Sequence, residues 1–457
     1  MDGTSDRLDR AVRGAAVTRE VVLERGASAA LPDLLTRHFP DTRFLLVADG
    51  NTWSAAGGAA AATLSARGLA HEALVLPGHP RLKPRVAHAE AIAGRIAEAD
   101  AVPVAIGAGV INDLVKRAAA VAGRPYAVVG TAASMDGYAA SGAALLDGEF
   151  KRTLPCPPPV AVLADLDVLA AAPRRMAAWG YGDLAGKVVA GADWLLADAL
   201  GEEAIAPEVF ALVQSGLEEW LQRPERLAAG DPDALGGLMG GLLVTGFAMQ
   251  AHGTSRPASG SDHQFAHLWE MEGLAVGGEP VAHGACVGIG TVAMLALYEW
   301  LLAQDPRILD IERAVAAQPS IGDQARTVAA AFRVPDMAAS AAAEVAAKRP
   351  TPDRLRRRLV RLAETWPDLR PRLAARLPSA ARMQARLAAA GAPAHPCEIG
   401  VGPAAMAADY RRARLIRRRY TLLDLLADMG RLDEAVASLF APDGFWGAPA
   451  NRSPNAT

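Results

Sequence analysis

The chain has 457 residues, enough for two to four domains at about 100–200 residues each. Its 47 basic and 50 acidic side chains give a net charge of −3, which lacks the basic excess of a nucleic-acid-binding protein. Hydrophobic residues make up 51% of the chain, a share that favours a large packed core and argues against disorder.

The sequence indicates neither a secretory signal nor a disulfide-linked fold. Its three cysteines stand far apart without a C-x-x-C pair, so neither a disulfide framework nor a zinc ribbon is expected. The N-terminal segment carries acidic residues and has no apolar centre, which argues against a secretory signal. We find no apolar, charge-free run of about 18 residues and therefore expect no membrane span. These features predict a cytoplasmic protein.

The first third of the chain alternates strand-like and Ala-rich, helix-like segments. Such alternation indicates parallel β–α–β units with both faces of the sheet covered. The predicted strands are Val17–Leu23, Arg43–Asp49, His71–Pro77, Ala101–Gly107, Tyr126–Gly130 and Val160–Asp165.

Long helical patterns replace the strands after Pro173, and no strand is predicted from about Arg174 onward. The main predicted helices are Met176–Leu200, Ala206–Gln222, Pro232–Ala251, Gly284–Ala303 and Leu415–Met429. The fold class is therefore an α/β domain (residues 1–172) followed by an all-helical domain (residues 173–457). We expect the ligand site in a cleft between the two domains.

Three predicted strands end in residues that suit ligand binding. Gly107 and Gly109 lead into a helix whose first N–H groups can bind a phosphate, although the pattern is not a complete G-x-G-x-x-G. The segment Gly130–Gly137 places hydroxyls and an acid at a strand end, where α/β sheets bind ligands; a capped turn is the alternative. Asp49 ends another strand and either contacts a ribose or closes a turn.

The helix after Gly109 carries two further charges, Asp113 and Lys116. Both could belong to the phosphate-binding loop region, or both could simply be charges on the helix surface.

Four of the nine histidines lie between positions 252 and 283. His263 and His267 are four residues apart and share one helical face, and His283 begins the glycine-rich segment HGACVGIG. Two imidazoles and a distant carboxylate can hold a divalent metal with open positions for substrate and water; ordinary capping or core histidines are the alternative. Asp183 is the candidate carboxylate, at a predicted helix N-terminus that it could also simply cap.

Taken together, these motifs resemble the sn-glycerol-1-phosphate dehydrogenases, a family within the iron-containing alcohol dehydrogenase and dehydroquinate synthase superfamily. The resemblance runs from Val17 to Leu432. It implies that the α/β domain (residues 1–172) is a dinucleotide-binding domain and that the all-helical domain (residues 173–457) binds the metal and the substrate. The motifs that carry it are GTAASMDG (Gly130–Gly137), GDLAGKVVAGADW (Gly182–Trp194), SRPASGSDHQFAHLWEM (Ser255–Met271), HGACVGIG (His283–Gly290) and IRRRYTLLDLL (Ile416–Leu426).

The resemblance implies roles for the candidate catalytic residues. Asp183, His263 and His283 match the three metal ligands of the family. His267 matches a histidine near the metal and the nicotinamide, and Asp136 matches an acid near the substrate.

The resemblance also implies nucleotide-binding roles. Gly107, Gly109 and Asp113 match the pyrophosphate loop, in which Ala108 replaces the usual middle glycine. The segment that contacts the nucleotide is represented by two further residues, Thr131 and Ser134.

The activity implied is reversible hydride transfer between NAD(P)H and dihydroxyacetone phosphate at a divalent metal. The first expectation for the metal is zinc, with nickel and iron as alternatives. Two other activities stay open: a dehydrogenase acting on another small hydroxylated or phosphorylated substrate, and a cyclase of the dehydroquinate synthase kind. The expected partner is a small phosphorylated substrate rather than nucleic acid, and a homo-oligomer is left open.

Overall fold

The computed structural model describes residues 2–148 and 150–447. The chain forms two compact units, each built from several segments. Unit 1 comprises Met1–Leu184, Ala211–Pro257 and Ala389–Gly391, and unit 2 comprises Ala185–Phe210, Ala258–Ala388 and Ala392–Thr457. The chain first passes between the units inside one continuous helix, directly after Leu184. The domain boundary after residue 172 stays a prediction.

Unit 1 is built around a six-stranded parallel sheet, whose strands are β1 (Glu20–Glu24), β2 (Phe44–Asp49), β3 (His71–Leu76), β4 (Val102–Gly107), β5 (Ala127–Gly130) and β8 (Ala161–Asp165). Across the sheet the strand order is β1-β8-β5-β4-β2-β3. The inner strands are apolar and buried because helices cover both faces of a parallel sheet. The predicted α/β fold and its six strands are thus confirmed.

Two antiparallel hairpins were not predicted. One consists of β6 (Ala143–Asp147) and β7 (Phe150–Leu154), and the other of β9 (Ala275–Val276) and β10 (Glu279–Pro280). The expectation of no strand after Arg174 is therefore wrong at the second hairpin. Its strands are too short to show alternation, and its turn depends on Gly277 and Gly278, which have φ of 60° and 83°.

The helices account for most of the remaining described chain. In chain order they are α1 (Asp2–Gly14), α2 (Leu31–His38), α3 (Gly50–Thr52), α4 (Gly58–Ala66), α5 (Val86–Ala99), α6 (Gly109–Val121), α7 (Leu166–Ala171), α8 (Arg174–Ala199), α9 (Pro207–Gln214), α10 (Leu217–Leu221), α11 (Pro224–Ala228), α12 (Pro232–His252), α13 (Ser261–Met271), α14 (His283–Leu302), α15 (Ile311–Ala316), α16 (Ile321–Ala331), α17 (Pro335–Lys348), α18 (Pro352–Ala374), α19 (Ala380–Ala389), α20 (Pro403–Ala413), α21 (Leu422–Asp428) and α22 (Leu432–Phe440). The helix predicted over Ala206–Gln222 is divided into α9 and α10, and the one over Leu415–Met429 is regular only in α21.

Two helices, α12 and α14, are long and apolar enough to cross a membrane, so the statement that the sequence holds no such apolar run is wrong. The expectation of no membrane span stays a prediction. Within the structure, 78% of the apolar window of α12 and 83% of that of α14 are buried. A helix that is apolar on all sides is also what the core of a large protein requires. The burial therefore favours a core position for each helix within its own unit.

Candidate active site

The carboxyl ends of β2, β4 and β5 lie at one edge of the sheet in unit 1. From β4 the chain enters α6 at once, and a Cβ on Gly107 would lie only 2.6 Å from the Cβ of Ile111. Glycine at this position therefore permits the helix to start directly behind the strand. The residue before α6, Ala108, makes no side-chain hydrogen bond that caps the helix. The first N–H groups of a helix can bind an anionic ligand.

The loop after β5 packs against this turn. The backbone N–H of Thr131 donates to the carbonyl of Gly107 at 3.2 Å, and a Cβ on Gly109 would lie 3.2 Å from the Cγ of Met135. Ser134 lies in the same loop and is half-buried. The structure thus brings Gly107, Gly109, Thr131 and Ser134 to one edge of the sheet. Their contacts with a nucleotide stay a prediction.

The buried side chain of Lys116 holds the end of this loop by hydrogen bonds. Its side chain is completely buried, and Nζ donates to the carbonyls of Gly137 and Ala140, both at 2.8 Å, and of Gly142 at 3.1 Å. Burial lowers the pKa of Lys116, and the nearby charge of Asp113 raises it. The interpretation of Lys116 as a surface charge is therefore wrong, because its ammonium group serves backbone carbonyls instead of solvent.

Asp113 also has structural partners. One carboxylate oxygen, Oδ2, accepts a hydrogen bond from the backbone N–H of Ala144 at 3.2 Å, and the other lies 3.7 Å from the Nζ of Lys116. The residue matched to the pyrophosphate loop thus ties α6 to the start of β6. A direct contact with the nucleotide stays a prediction.

At the end of β2, Asp49 closes a turn. Its Oδ1 accepts from the backbone N–H of Thr52 at 2.8 Å, and the hydroxyl of Thr52 accepts from the N–H of Asp49 at 3.0 Å. This reciprocal pair caps α3. Of the two roles left open for Asp49, the structure shows the turn, and contact with a ribose stays a prediction.

Asp183 lies in the interior of α8 rather than at its N-terminus, so the helix-capping alternative is wrong. Its side chain is fully buried, and Oδ2 accepts a hydrogen bond from the backbone N–H of Asp136 at 3.0 Å. The helix needs a glycine at position 180, because a Cβ there would lie 2.0 Å from the carbonyl oxygen of Ala133. The loop after β5 therefore packs directly on the helix turn before Asp183.

Unit 2 brings the three candidate histidines together. His263 and His267 lie on α13, and His283 is the first residue of α14. The ring centroids of His263 and His283 are 5.3 Å apart, those of His267 and His283 5.5 Å, and those of His263 and His267 6.0 Å. The predicted sharing of one helical face is confirmed, and the start of α14 completes the cluster.

A carboxylate engages the Nδ1 atom of each histidine in the cluster. Asp262 contacts His263, while Glu270 contacts His267 at 3.1 Å and His283 at 2.7 Å. An imidazole that donates through Nδ1–H has its lone pair at Nε2. The three rings are thus prepared to offer Nε2 to a metal ion or to a substrate.

Another buried carboxylate, Asp193, anchors the start of α13. It accepts from the N–H and the hydroxyl of Ser261, both at 2.7 Å, and from the hydroxyl of Tyr298 at 2.7 Å. Burial raises the pKa of Asp193, and these hydrogen bonds offset only part of that effect. Because Ser261 begins the helix that carries His263, Asp193 helps to place the histidine cluster.

Sequence reasoning assigned no role to Asp193, Asp262 or Glu270, although all three lie within the quoted motifs. A partial signal existed for Glu270, which follows His267 by three residues and therefore shares its helical face. No comparable signal existed for Asp193, whose partners lie far away along the chain.

Sequence comparisons place the chain among known dehydrogenases. Residues 22–173 match the family model described as iron-containing alcohol dehydrogenase. A glycerol-1-phosphate dehydrogenase [NAD(P)+] from Halalkalibacterium halodurans is 35% identical over 283 residues, which cover 61% of this chain and 70% of that protein. The enzyme of the same name from Thermofilum pendens is 34% identical over 299 residues, which cover 64% of this chain and 82% of that protein.

Solved structures show the same fold. A probable glycerol dehydrogenase from Sinorhizobium meliloti gives a TM-score of 0.58 at 16% identity, covering 93% of this chain and 99% of that one. The glycerol dehydrogenase from Schizosaccharomyces pombe gives 0.58 at 14% identity, covering 96% of each chain. At these identities the likeness concerns the fold alone.

Proposed function

Since this chain belongs to the glycerol-1-phosphate dehydrogenase family of iron-containing alcohol dehydrogenases, we propose that it interconverts dihydroxyacetone phosphate and sn-glycerol 1-phosphate with NAD(P)H and a divalent metal. The observation that carries the proposal is the histidine cluster of unit 2, in which every Nδ1 contacts a carboxylate. Three rings held in this way suit a metal centre with an adjacent proton donor better than they suit a core, where such carboxylates would be costly to bury.

We propose Asp183, His263 and His283 as the metal ligands. One carboxylate and two imidazoles leave coordination positions open for substrate oxygens. The position of Asp183 in α8 supports this choice. Asp183 stands three residues before Gly186, so the two residues share one face of the helix. Gly186 packs so closely on the neighbour of His263 that a Cβ would lie 2.5 Å from Oδ2 of Asp262. Zinc is the ion we propose, and nickel and iron suit the same donors.

In the proposed metal site the ion would act as a Lewis acid, and the side chains around it would orient its ligands. When bound, a divalent ion supplies Lewis-acid polarisation of a carbonyl. The N–H of Asp136 fixes one oxygen of Asp183, which orients the other. Asp262 and Glu270 hold the rings of His263 and His283 by Nδ1, so that each ring presents Nε2.

We propose His267 as the group that moves the proton. Hydride addition at C2 leaves the C2 oxygen needing a proton, which the Nε2 of a doubly protonated His267 can deliver. Glu270 stabilises that ring through Nδ1. The loop of Asp136, whose end is held by Lys116, is proposed to lie beside the substrate. The N-terminus of α6 is proposed to bind the cofactor pyrophosphate.

The experiment that tests the function combines metal analysis with a stereochemical assay. The purified protein is assayed with NADH and with NADPH on dihydroxyacetone phosphate, with dihydroxyacetone as the control that lacks a phosphate. We expect oxidation of the nicotinamide with the phosphorylated ketone only. The product should resist an enzyme specific for sn-glycerol 3-phosphate. Turnover of unphosphorylated ketones alone, or a product of the opposite configuration, would reject the assignment.

A matched pair of histidine variants tests the metal centre. His263→Ala should lose both bound metal and activity, because it removes a ligand nitrogen. His252→Ala should keep both, since this ring lies at the end of α12 and contacts the hydroxyl of Thr254. Equal metal content and turnover in the two variants would show that the cluster does not hold the catalytic ion. A cytoplasmic location and a homo-oligomeric state stay predictions.

A further inference from the structure

Glu270 occupies an unusual position within the histidine cluster. It lies in the last turn of α13, and its side chain is only 13% exposed. Its two oxygens serve two different rings: Oε1 contacts the Nδ1 of His283 at 2.7 Å, and Oε2 contacts the Nδ1 of His267 at 3.1 Å. One carboxylate thus joins the first residue of α14 to the middle of α13.

The chemistry of these contacts determines the state of both rings. An ionised carboxylate only accepts hydrogen bonds, so each Nδ1 that contacts it must carry the proton. The lone pair of each neutral ring is then at Nε2. For His283 this is the atom needed to bind a metal, and for His267 it is the atom needed to exchange a proton.

The positive charge of Arg417 interacts with the negative charge of Glu270. Arg417 belongs to the IRRRYTLLDLL motif, for which the function described above has no other use. Burial lowers the pKa of Arg417, whereas the charges of Glu270 and Glu344 raise it. A guanidinium keeps its proton even when enclosed, so it is a lasting counter-charge for Glu270.

We propose that Glu270 is a positioning residue that fixes the Nδ1-protonated form of His267 and His283 at the same time. The inference rests on the proposed function for the roles of the two rings, but the state of the rings can be measured without it. Because one carboxylate holds both rings, its removal should disturb metal binding and proton transfer together.

The structure supplies a competing arrangement that the test must distinguish. His267, Glu270 and His283 also place one donor atom each within 4.8 Å of one another and could hold an ion among themselves. In that arrangement Glu270 would be a ligand, and His263 would be dispensable for metal binding.

The first experiment measures the rings directly by ¹⁵N nuclear magnetic resonance of histidine-labelled, metal-free protein, assigned with single His→Ala variants. In the wild type we expect both His267 and His283 to carry the proton at Nδ1. Glu270→Gln, with a single acceptor oxygen, should shift at least one ring toward the Nε2-protonated form. Glu272→Gln is the matched control, because Glu272 lies two residues further along and pairs with Arg412. Unchanged ring signals in Glu270→Gln would overturn the proposal.

The second experiment measures zinc affinity by competition with a chromogenic chelator. Loss of a carboxylate that orients a ligand histidine typically weakens metal binding about 10–100-fold, which we expect for Glu270→Gln. Glu272→Gln should bind as the wild type does, with all variants checked for folding by circular dichroism. Wild-type affinity in Glu270→Gln would overturn the proposal. So would zinc binding that survives His263→Ala but not His267→Ala, since Glu270 would then be a ligand.

The two experiments separate failure of this inference from failure of the proposed function. If the wild-type protein binds no zinc and reduces no ketone, the function fails, while the ring signals still decide the role of Glu270. If zinc binds and His263→Ala releases it, the metal site stands whatever Glu270 does, because His263 takes no part in the competing arrangement.

Discussion

The buried carboxylate of Asp183 accepts a hydrogen bond from the backbone N–H of Asp136, with 3.0 Å between Oδ2 and the nitrogen. A candidate metal ligand in a helix is thereby tied to the loop that follows the fifth strand of the sheet. The proposed ligand and this loop are therefore coupled by one hydrogen bond. A substitution at Asp183 can remove the charge of the side chain and keep its shape.

Asp183→Asn is that substitution, because asparagine keeps an oxygen that can accept from the N–H of Asp136 but carries no charge. We expect the thermal unfolding midpoint to stay close to that of the wild type, while zinc affinity falls by at least about tenfold. Chelator competition and a thermal melt measure the two effects. Asp198→Asn, on the same helix, is the control, since Asp198 accepts from the N–H of Ile205. Wild-type affinity in Asp183→Asn would exclude it as a ligand.

Gly186→Ala should disturb the histidine cluster through Asp262, the neighbour of His263. The new Cβ would lie 2.5 Å from Oδ2 of Asp262 and 2.6 Å from Cγ1 of Val287, so these side chains must move, and Asp262 contacts His263. We expect a lower unfolding midpoint and weaker zinc binding. Gly94→Ala, within α5, meets no atom within 4 Å and should stabilise the protein by about 0.5–1 kcal/mol. A Gly186→Ala variant as stable as Gly94→Ala would contradict the packing described for α8.

Lys116→Met should destabilise unit 1, because the buried carbonyl of Ala140 and the partly buried carbonyls of Gly137 and Gly142 lose a charged donor at once. A buried polar group left without a partner costs about 1–3 kcal/mol, so the loss should reach at least about 1–3 kcal/mol. Urea unfolding measures it. In Lys83→Met, where the lysine is exposed, the change should stay within about 0.5 kcal/mol. If the two variants unfold alike, the ammonium of Lys116 does not stabilise the loop.

Asp165 gives a prediction for pH. Burial raises the pKa of its carboxyl, but hydrogen bonds from Ser28, Asp167 and Gly26 outweigh burial, and the pKa lies below 3.8. A carboxyl with a lowered pKa contributes stability above pH 3.8, and that contribution disappears as the pH falls through the lowered value. Asp165→Asn, whose amide would face the N–H of Ser28, should cost about 1–3 kcal/mol at pH 7.

The difference between wild type and Asp165→Asn should therefore shrink as the pH is lowered, because protonation removes the same acceptor in the wild type. Thermal melts across the acid range, as far as the wild type stays folded, measure this convergence. Asp167→Asn serves as the control, since that carboxylate is half exposed and pairs with Arg25. A constant difference at all pH values would show that the charge of Asp165 is not responsible.

Much of unit 1 could be predicted because its elements follow local rules. Buried parallel strands are short apolar runs, as in Val102–Gly107, and their carboxyl ends meet at one edge, which brings Gly107 near Thr131. The weak predictions concern residues whose partners are distant along the chain. From the sequence, Lys116 resembles a charge on a helix surface. Only the structure shows that its ammonium group donates to the carbonyl of Ala140.

The sequence by itself determined the order of strands and helices and the candidate ligands His263 and His283, since hydrophobic periodicity and short-range spacing record local structure. Only the tertiary structure decided that Asp183 accepts from the N–H of Asp136 and that Glu270 serves two rings at once. These relationships depend on which helices pack together, and packing joins residues through space at separations that no local pattern encodes.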